Sequence, residues 1–197
     1  TVVYRPPGIR GRRFTDDEIG GAEEYTIDFS SLDADQICDV AGISPNWRVQ
    51  RQAVGTALDM LTGIFGPEQL VEALQNVPQV TDARVGRAAI AAITYIERLT
   101  RYQIWGNRDI PLDDIVGPKR LSIIDLAGLQ KKVSEYIVSK TLTEIWSRSV
   151  TGNLELPVFV VLEEAHNLVP GRGFGSAMSS SIIERIASEG RKFGIFL

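Results

Sequence analysis

The sequence predicts an α/β fold in which helices flank a parallel β-sheet and a helical subdomain is inserted into the sheet domain. From Leu121 onward, strand-like runs alternate with helical ones: LSIID, then QKKVSEYIVSKTLTEIWSRSV, PVFVVLEE, SSSIIERIASEGRK and FGIFL. The two internal strand-like runs are apolar throughout, which is typical of strands buried on both faces of a sheet. Such alternation predicts parallel pairing with right-handed crossovers.

The first third of the chain predicts two more strands and a short helix. Thr1 to Tyr4 is apolar and closed by prolines and glycine, and YTIDF alternates apolar and polar residues from Tyr25 to Phe29. The segment SSLDADQICDVAGI predicts a capped helix that starts at Ser31 and ends near Gly42.

A block of helical periodicity, without strand signals, runs from Trp47 to about Tyr102. Its first helix is predicted from an apolar stripe at helical spacing: Val49, Ala53, Ala57, Met60, Leu61 and Ile64. We expect the start of this stripe, with Trp47, to lie in the core. Pro67 starts a second helix, and DARVGRAAIAAITYIERLTRY predicts a longer third one. The predicted organisation is sheet core over 1–30, helical insertion over 31–118 and sheet core over 119–197.

Composition excludes several classes of protein. A chain of 197 residues with 44% hydrophobic residues has room for one globular domain with an insertion. The single Cys38 excludes an intramolecular disulfide framework, and one cysteine with one histidine argues against a zinc site. No apolar run reaches the ~20 residues of a membrane span, and no signal peptide opens the chain. These features predict a cytoplasmic protein without a membrane partner.

Charge is distributed unevenly along the chain. The net charge is -4, so nucleic-acid binding would depend on a local basic patch. The opening RPPGIRGRR contains Arg5, Arg10, Arg12 and Arg13, and nine acidic residues without Lys or Arg follow between Phe14 and Trp47. The arginines either contact phosphates or pair with the acidic stretch, and we prefer the second interpretation.

The clearest chemical signal is the pair Glu163 and Glu164 directly after an apolar run. Ligands of open parallel sheets bind beyond the carboxyl ends of the strands. One carboxylate there can hold Mg²⁺ through water while its neighbour orients the attacking water, the arrangement called Walker B. The alternative is a solvent-exposed helix start, where acids complement the helix dipole. The spacing Glu163-x-x-His166 also occurs in di-iron bundles, but a second histidine is missing.

A phosphate-binding loop of the form GxxxxGK[ST] does not occur in the sequence. The glycine-rich GRGFGS, Gly171 to Ser176, has no lysine and does not follow directly on a strand. We therefore expect either that the phosphate cradle lies upstream of Thr1, in a longer protein of which this inactive chain is a core fragment, or that nucleotide binding has been lost.

Several segments together resemble a known family. VFVVLEEAHNLVP and RIASEGRKFGIFL, with VVYRPPG, IDFSSL and LSIIDLAGL, are similar to the HerA-type hexameric DNA translocases of the HerA/FtsK group of P-loop ATPases. The resemblance implies a RecA-like P-loop NTPase fold and a homo-hexameric motor that uses ATP and Mg²⁺ to move along double-stranded DNA. It also implies a NurA-type nuclease partner in DNA end processing and repair.

The resemblance also implies residue roles. Glu164 would be the catalytic glutamate, Glu163 would occupy the Walker B position near Mg²⁺, contacting it through water, and Arg191 would be the arginine finger. Arg191 lies where a helix gives way to a strand, at the sheet edge opposite the carboxylates, so we expect it to act on a neighbouring subunit's ATP. Alternatively, Arg191 and Lys192 satisfy the last carbonyls of their own helix.

Three further residues have two interpretations each. His166 either bonds a carboxylate or senses the γ-phosphate, or it has a structural role only. Asp125 at the end of LSIID is close to the metal, or it caps the helix that starts near Gln130. Arg172 contacts DNA phosphates in a ring pore, or it belongs to an ordinary connector.

Two alternative functions stay open on the sequence. One is a degenerate P-loop-like module that assembles or binds a partner without ATPase activity. The other is a conjugation-type or peptide-translocating ATPase.

Overall fold

The computed structural model describes residues 1–9, 12–154, 156–169 and 178–197. The chain divides into two compact units. The helical unit is Tyr4–Ile110, and the C-terminal unit consists of Thr1–Val3 and Pro111–Leu197. Arg10, Arg172 and the whole of GRGFGS lie outside the described residues.

The secondary structure is mixed α/β. In the helical unit the strands are β2 (Glu23–Glu24), β3 (Ile27–Asp28) and β4 (Trp105–Gly106), and the α-helices are α1 (Ala34–Ala41), α2 (Arg48–Leu58), α3 (Pro67–Val80) and α4 (Ala83–Leu99). In the C-terminal unit the elements are α5 (Leu112–Ile115), β5 (Ser122–Ile124), α6 (Lys131–Val150), β6 (Val158–Phe159), α7 (Ser180–Glu189) and β7 (Ile195–Phe196). Short 3₁₀ helices span Phe29–Ser31, Ala165–Asn167 and Gly190–Phe193, and β1 (Val2–Arg5) crosses the division between the units.

The predicted parallel pairing is confirmed in the registered pairs, but the strands are short. In the helical unit, β1 pairs with β2 and β3 with β4, both parallel. In the C-terminal unit, β6 pairs with β7 in parallel, and the Val2 N–H next to β5 donates to Leu121 O at 2.9 Å. The described strands are two to four residues long, so a continuous RecA-like sheet is not formed by them.

The helical block between Trp47 and Tyr102 is confirmed. Helices α2, α3 and α4 pack against one another through buried faces made of Ala53, Val54, Ala57, Leu70, Leu74, Val77, Ala89, Ala92 and Ile96. The first helix is shorter than predicted, since α2 ends at Leu58. Met60 and Ile64 follow it at 39% and 71% exposure, so they do not continue the buried stripe. Trp47 is 43% exposed and is not a core residue.

Helix α1 starts two residues later than predicted. Asp33, not Ser31, is the N-cap, and its carboxylate accepts from the Gln36 N–H while the Gln36 side chain accepts from the Asp33 N–H. Ser31 belongs to the preceding 3₁₀ helix and donates to Asp28 O. The predicted end is confirmed, since Gly42 has the left-handed φ of 82° that a helix C-terminus favours.

Arg51 holds α1 against α2. Its guanidinium donates to the carboxylates of Asp35 and Asp39 at 2.8 Å each and to Ile43 O at 3.0 Å. Burial acts to lower the pKa of Arg51, but the hydrogen bonds to Asp39 and Asp35 outweigh it and raise that pKa above its ordinary value. The side chain is 13% exposed, so these bonds are partly shielded from water.

The N-terminal arginines also pair locally. Arg5 is buried, and its Nη1 donates to the Asp16 carboxylate at 2.7 Å and to Phe14 O at 3.1 Å. Arg12 donates to Pro6 O, and the Arg13 guanidinium lies 5.2 Å from the Phe14 ring centroid. Pairing with the acidic stretch is thus the interpretation confirmed for Arg5.

The C-terminal unit has its own core, in which α6 and α7 contribute most of the buried side chains. These include Leu142, Ile145, Trp146, Ile182, Ile183, Ile186 and Ile195. The sequence missed α5, whose Leu112 is buried and whose Asp113 pairs with Arg148 of α6. Of the helices in the described ranges, none has the length and apolarity of a membrane span.

Gly190 is closely packed in the C-terminal unit. A Cβ on Gly190 would lie 2.9 Å from Ile195 O and 3.0 Å from Ile186 Cγ2. Gly55 in α2 differs, because a Cβ there would lie 3.8 Å from Ala34 Cβ, an ordinary contact.

We expect opposite effects from alanine at these two glycines. Gly190→Ala should destabilise the chain by about 1–3 kcal/mol, because a backbone carbonyl must move. Gly55→Ala should stabilise it by about 0.5–1 kcal/mol, because alanine favours the helix and has room. Urea unfolding midpoints measure both, and a Gly190→Ala midpoint equal to that of the parent chain would contradict the packing described.

Cys38 has no solvent exposure, and its thiol is correspondingly hard to ionise. Burial raises the pKa of Cys38 from 9.0 to about 12, against the opposing charge of Arg51. Since the thiolate is the reactive form, we expect a disulfide reagent at pH 8 to modify the native chain far more slowly than the urea-unfolded chain. Equal rates would show that Cys38 is accessible.

The same pKa shift predicts a pH dependence of stability. The folded state binds the thiol proton more tightly, so its stabilising contribution is complete below pH 9 and is lost as the pH rises towards about 12. Comparison of unfolding free energies between the parent and Cys38→Ala chains over this range isolates the effect from that of other groups. The difference between the two should shrink with rising pH.

Candidate functional site

The acidic pair follows β6, which is held by β7. Val158 N–H donates to Gly194 O at 2.9 Å, and Val160 N–H donates to Phe196 O at 2.7 Å. The register places Val158 opposite Ile195 and Phe159 opposite Phe196. The regular strand β6, Val158–Phe159, is shorter than PVFVVLEE predicts.

Burial along this run alternates and is not continuous. Val158, Val160 and Leu162 pack on the core cluster of α6 and α7. Phe159 and Val161 are 77% and 85% exposed. The prediction that the run is buried on both faces is therefore wrong, because the described residues cover one face of the β6–β7 pair and leave Phe159 and Val161 exposed on the other. On the other face Phe159 stacks on Phe196, with ring centroids 4.8 Å apart.

Glu163 and Glu164 lie in a turn at the carboxyl end of this run, and both are exposed. Glu164 has φ 52° and ψ 38°, a left-handed conformation that is uncommon for a residue with a side chain. Its carbonyl accepts from Asn167 N–H at 2.9 Å, which starts the Ala165–Asn167 3₁₀ helix. Backbone strain of this kind is stored preferentially at functional sites.

His166 and Glu164 are brought together by this turn. Nδ1 of His166 lies 3.3 Å from Oε2 of Glu164, and the side chains are 73% and 75% exposed. The pair is an ion pair only when the imidazole is protonated. The predicted contact of His166 with a carboxylate is therefore present.

The donor set at the turn suits Mg²⁺ better than a metal that needs a full protein cage. Within the described ranges, no group of three or more His, Cys, Asp or Glu side chains is placed to hold a metal ion. Mg²⁺ typically retains several waters and uses one or two carboxylates together with substrate phosphates. An exposed carboxylate such as that of Glu163 fits this mode of binding.

Asp125 follows β5 and makes a local contact. Its carboxylate accepts from the Ala127 N–H at 3.0 Å, within the turn that leads to α6. The N-cap residue of α6 is Gln130, without a side-chain cap bond. This hydrogen bond thus belongs to the turn itself and not to the start of the helix.

Arg191 lies in the 3₁₀ helix Gly190–Phe193 that precedes β7. Because β6 and β7 are parallel, Arg191 and the acidic pair lie at opposite ends of the two-stranded sheet. Its side chain is exposed and, in the part of the chain that the structure describes, makes no hydrogen bond or ion pair. The alternative in which Arg191 caps its helix is not seen, because the capping bond runs from Gly190 N–H to Ile186 O.

Sequence reasoning missed the contacts that hold the Arg191 segment on α6. The Phe193 ring packs edge-on against Trp146 with centroids 5.1 Å apart, and the Ser149 hydroxyl donates to Phe193 O. The Arg185 guanidinium lies 4.5 Å from the Trp146 ring centroid on α6. Nothing local in the sequence pairs Trp146 with Phe193, because they are far apart along the chain.

Glu135 of α6 was also missed. It is 1% exposed. Its carboxylate accepts from Lys132 Nζ at 2.9 Å and from the Met178 N–H at 3.4 Å. Ser179 next to Met178 donates to Leu168 O at 2.9 Å. The bond from Met178 ties the segment that begins there to α6, and the bond from Ser179 ties it to Leu168. An acid within the apolar stretch VSEYIV was the available signal.

Comparison with known proteins identifies the family. Residues 1–145 match the family described as the central domain of the helicase HerA. No curated protein matches the chain significantly. The matched range contains the helical unit, β5 and Asp125, whereas Glu163, Glu164, His166 and Arg191 lie beyond its end. Since the match covers well over half of the chain, this protein belongs to the HerA helicase central-domain family.

Proposed function

We propose that this chain is the core segment of an ATP-driven motor that translocates double-stranded DNA, built on a RecA-like P-loop fold. The observation that carries the proposal is the family match over residues 1–145. An acidic pair at the carboxyl end of a parallel strand is consistent with it, since nucleotide-hydrolysing sheets place their catalytic carboxylates there.

In the proposed reaction Glu163 and Glu164 have different roles. Glu163 would hold Mg²⁺ through water, and the ion would neutralise charge on the ATP phosphates. Glu164 would orient the attacking water and accept its proton. His166, 3.3 Å from Glu164, would fix the position of that carboxylate or respond to the γ-phosphate. Asp125, in the turn after β5, would lie close to the metal ion.

Arg191 would act on the ATP of an adjacent subunit in a homo-hexameric ring. Two observations support this role: its side chain is exposed, and it lies at the opposite end of the β6–β7 pair from the acids. An arginine so placed is too remote for its own chain's site but is available to a neighbour's, where it would stabilise charge on the transferred phosphoryl group.

The wider assignment follows the resemblance of the sequence. We propose a NurA-type nuclease partner, a role in DNA end processing and repair, a cytoplasmic location and a contact of Arg172 with DNA phosphates. We also retain sheet core at 1–30 and 119–197 around a helical insertion at 31–118 as the proposed organisation.

A non-enzymatic assembly module is the second candidate, favoured by the exposure of both glutamates. The gene sequence upstream of Thr1 separates the two: a GxxxxGK[ST] after a strand supports the motor, and its absence supports the module. A conjugation-type transport ATPase would differ from both in that duplex DNA would not stimulate its ATP hydrolysis.

The carboxylate of Glu164 is the proposed acceptor of the water's proton. In the product of the complete gene, Glu164→Gln should lower ATP turnover by about 10²–10⁴-fold, because the amide cannot accept the water's proton. Nucleotide binding, measured by fluorescent ATP titration, should be nearly unchanged. Glu184→Gln on the exposed side of α7 removes the same charge and serves as the control. Normal turnover of Glu164→Gln would refute the role of Glu164.

Arg191 is proposed to act on the ATP of a neighbouring subunit. Mixing Arg191→Ala subunits with Glu164→Gln subunits should give activity that differs from the sum of the two, because each active site draws on two chains. Lys192→Ala, also exposed and next in the chain, is the matched control. Strictly additive activity across mixing ratios would show that Arg191 does not act on a neighbour.

A further inference from the structure

The solvent face of α4 carries a row of arginines. Arg84, Arg87 and Arg98, hereafter the arginine stripe, are all exposed. Arg84 and Arg87 are one turn apart, and Arg98 follows Arg87 by three turns, about 16 Å along the axis. Ala91 and Thr94 lie between them on the same face. The stripe is therefore a straight, basic surface with small side chains at its centre.

The arginine stripe has no carboxylate partner among the residues that the structure describes. Arg51 and Arg148 each bind two carboxylates, whereas the three stripe arginines form no ion pair within the described ranges. Asp82, the N-cap of α4, accepts from the backbone N–H groups of Val85 and Arg84. These hydrogen bonds, and after them the nearby charges of Arg84 and Arg87, lower the pKa of the Asp82 carboxyl. In the described ranges the stripe guanidinium groups thus make no direct ion pair with a carboxylate.

Aromatic side chains flank the C-terminal half of the stripe. The Arg98 guanidinium lies 5.3 Å from the Tyr95 ring centroid, and Trp47 packs edge-on against Tyr95 at 5.6 Å. Arg48, next to Trp47, is exposed as well. A rigid aromatic edge beside Arg98 limits the motion of its side chain, which reduces the entropy lost when the guanidinium binds an anion.

Helix α4 is more basic than the helix α3 that packs against it. α4 carries three arginines and one glutamate, whereas the adjacent α3 carries Glu68 and Glu72 and no Lys or Arg. In a chain of net charge -4, such a local concentration of unpaired guanidinium groups indicates a polyanionic partner.

We infer that the arginine stripe binds the phosphate backbone of double-stranded DNA. Guanidinium groups bind phosphate oxygens in a bidentate manner, and a row of them along a straight helix suits a regular line of phosphates. Contacts of this kind hold the duplex without reading its sequence. The inference rests on the proposed function, because it assigns that motor's substrate a surface on the helical unit, separate from the acidic turn.

The test compares charge-neutral variants of the complete gene product. The stripe variant Arg84→Gln, Arg87→Gln, Arg98→Gln retains good helix formers. The control variant Arg108→Gln, Lys119→Gln, Lys131→Gln removes the same charge from other exposed positions. Binding to a labelled duplex of about 20 base pairs, two helical turns, is measured by fluorescence anisotropy over a series of salt concentrations.

The stripe variant should bind at least about tenfold more weakly at low salt, and its slope of log K against log salt should fall by about 2–3, one for each lost phosphate contact. The control variant should bind like the parent protein. Equal weakening of both variants, an unchanged stripe variant, or no binding by the parent protein would each overturn the inference. Preferential binding to phosphatidylserine vesicles would overturn it too.

ATP hydrolysis without DNA, measured on the same proteins, separates this inference from the proposed function. The stripe variant should hydrolyse ATP at the parent rate, which also shows that it is folded. If the parent protein lacks ATPase activity and yet its DNA binding depends on the stripe, the proposed motor is refuted and the DNA-binding surface remains.

Discussion

The parallel pairing of β6 with β7 is the constraint on which the candidate site depends. Two backbone hydrogen bonds, from Val158 to Gly194 and from Val160 to Phe196, set the register. Because the strands run in the same direction, the turn after β6 and the turn before β7 are at opposite ends. The acids and Arg191 are therefore separated by the sheet itself, whatever their side-chain rotamers.

Packing on α6 keeps both ends of this pair in place. Val158, Val160 and Leu162 lie on the core cluster, while Phe193 packs on Trp146 and Gly190 leaves no room for a Cβ against Ile195. The opposite face carries Phe159 and Val161 in solvent. One well-packed face is thus enough to position the acidic turn, with Glu164 in its left-handed conformation, and the segment of Arg191.

The family match and the site geometry concern different parts of the chain, and they support the proposed motor in different ways. The match places residues 1–145 in a helicase family, and the β6–β7 pair separates the proposed catalytic acid from the proposed arginine finger. If hydrolysis needs both, one active site draws on two chains, which is the reason for proposing a ring. The arginine stripe on α4 adds a surface whose guanidinium groups, unlike that of Arg51, form no ion pair within the described ranges.

Features set by neighbours along the chain were predictable from the sequence: the start of α3 at Pro67, the end of α1 near Gly42 and the alternation of strands with helices. These depend on local dihedral preferences and on hydrogen bonds within one turn. Tertiary structure alone decided which face of β6 is covered, where α2 ends, and that Trp146 and Arg51 fix neighbouring elements. The burial of a segment depends on which distant residues pack against it. The hydrophobicity of the segment alone therefore does not predict which of its faces is buried.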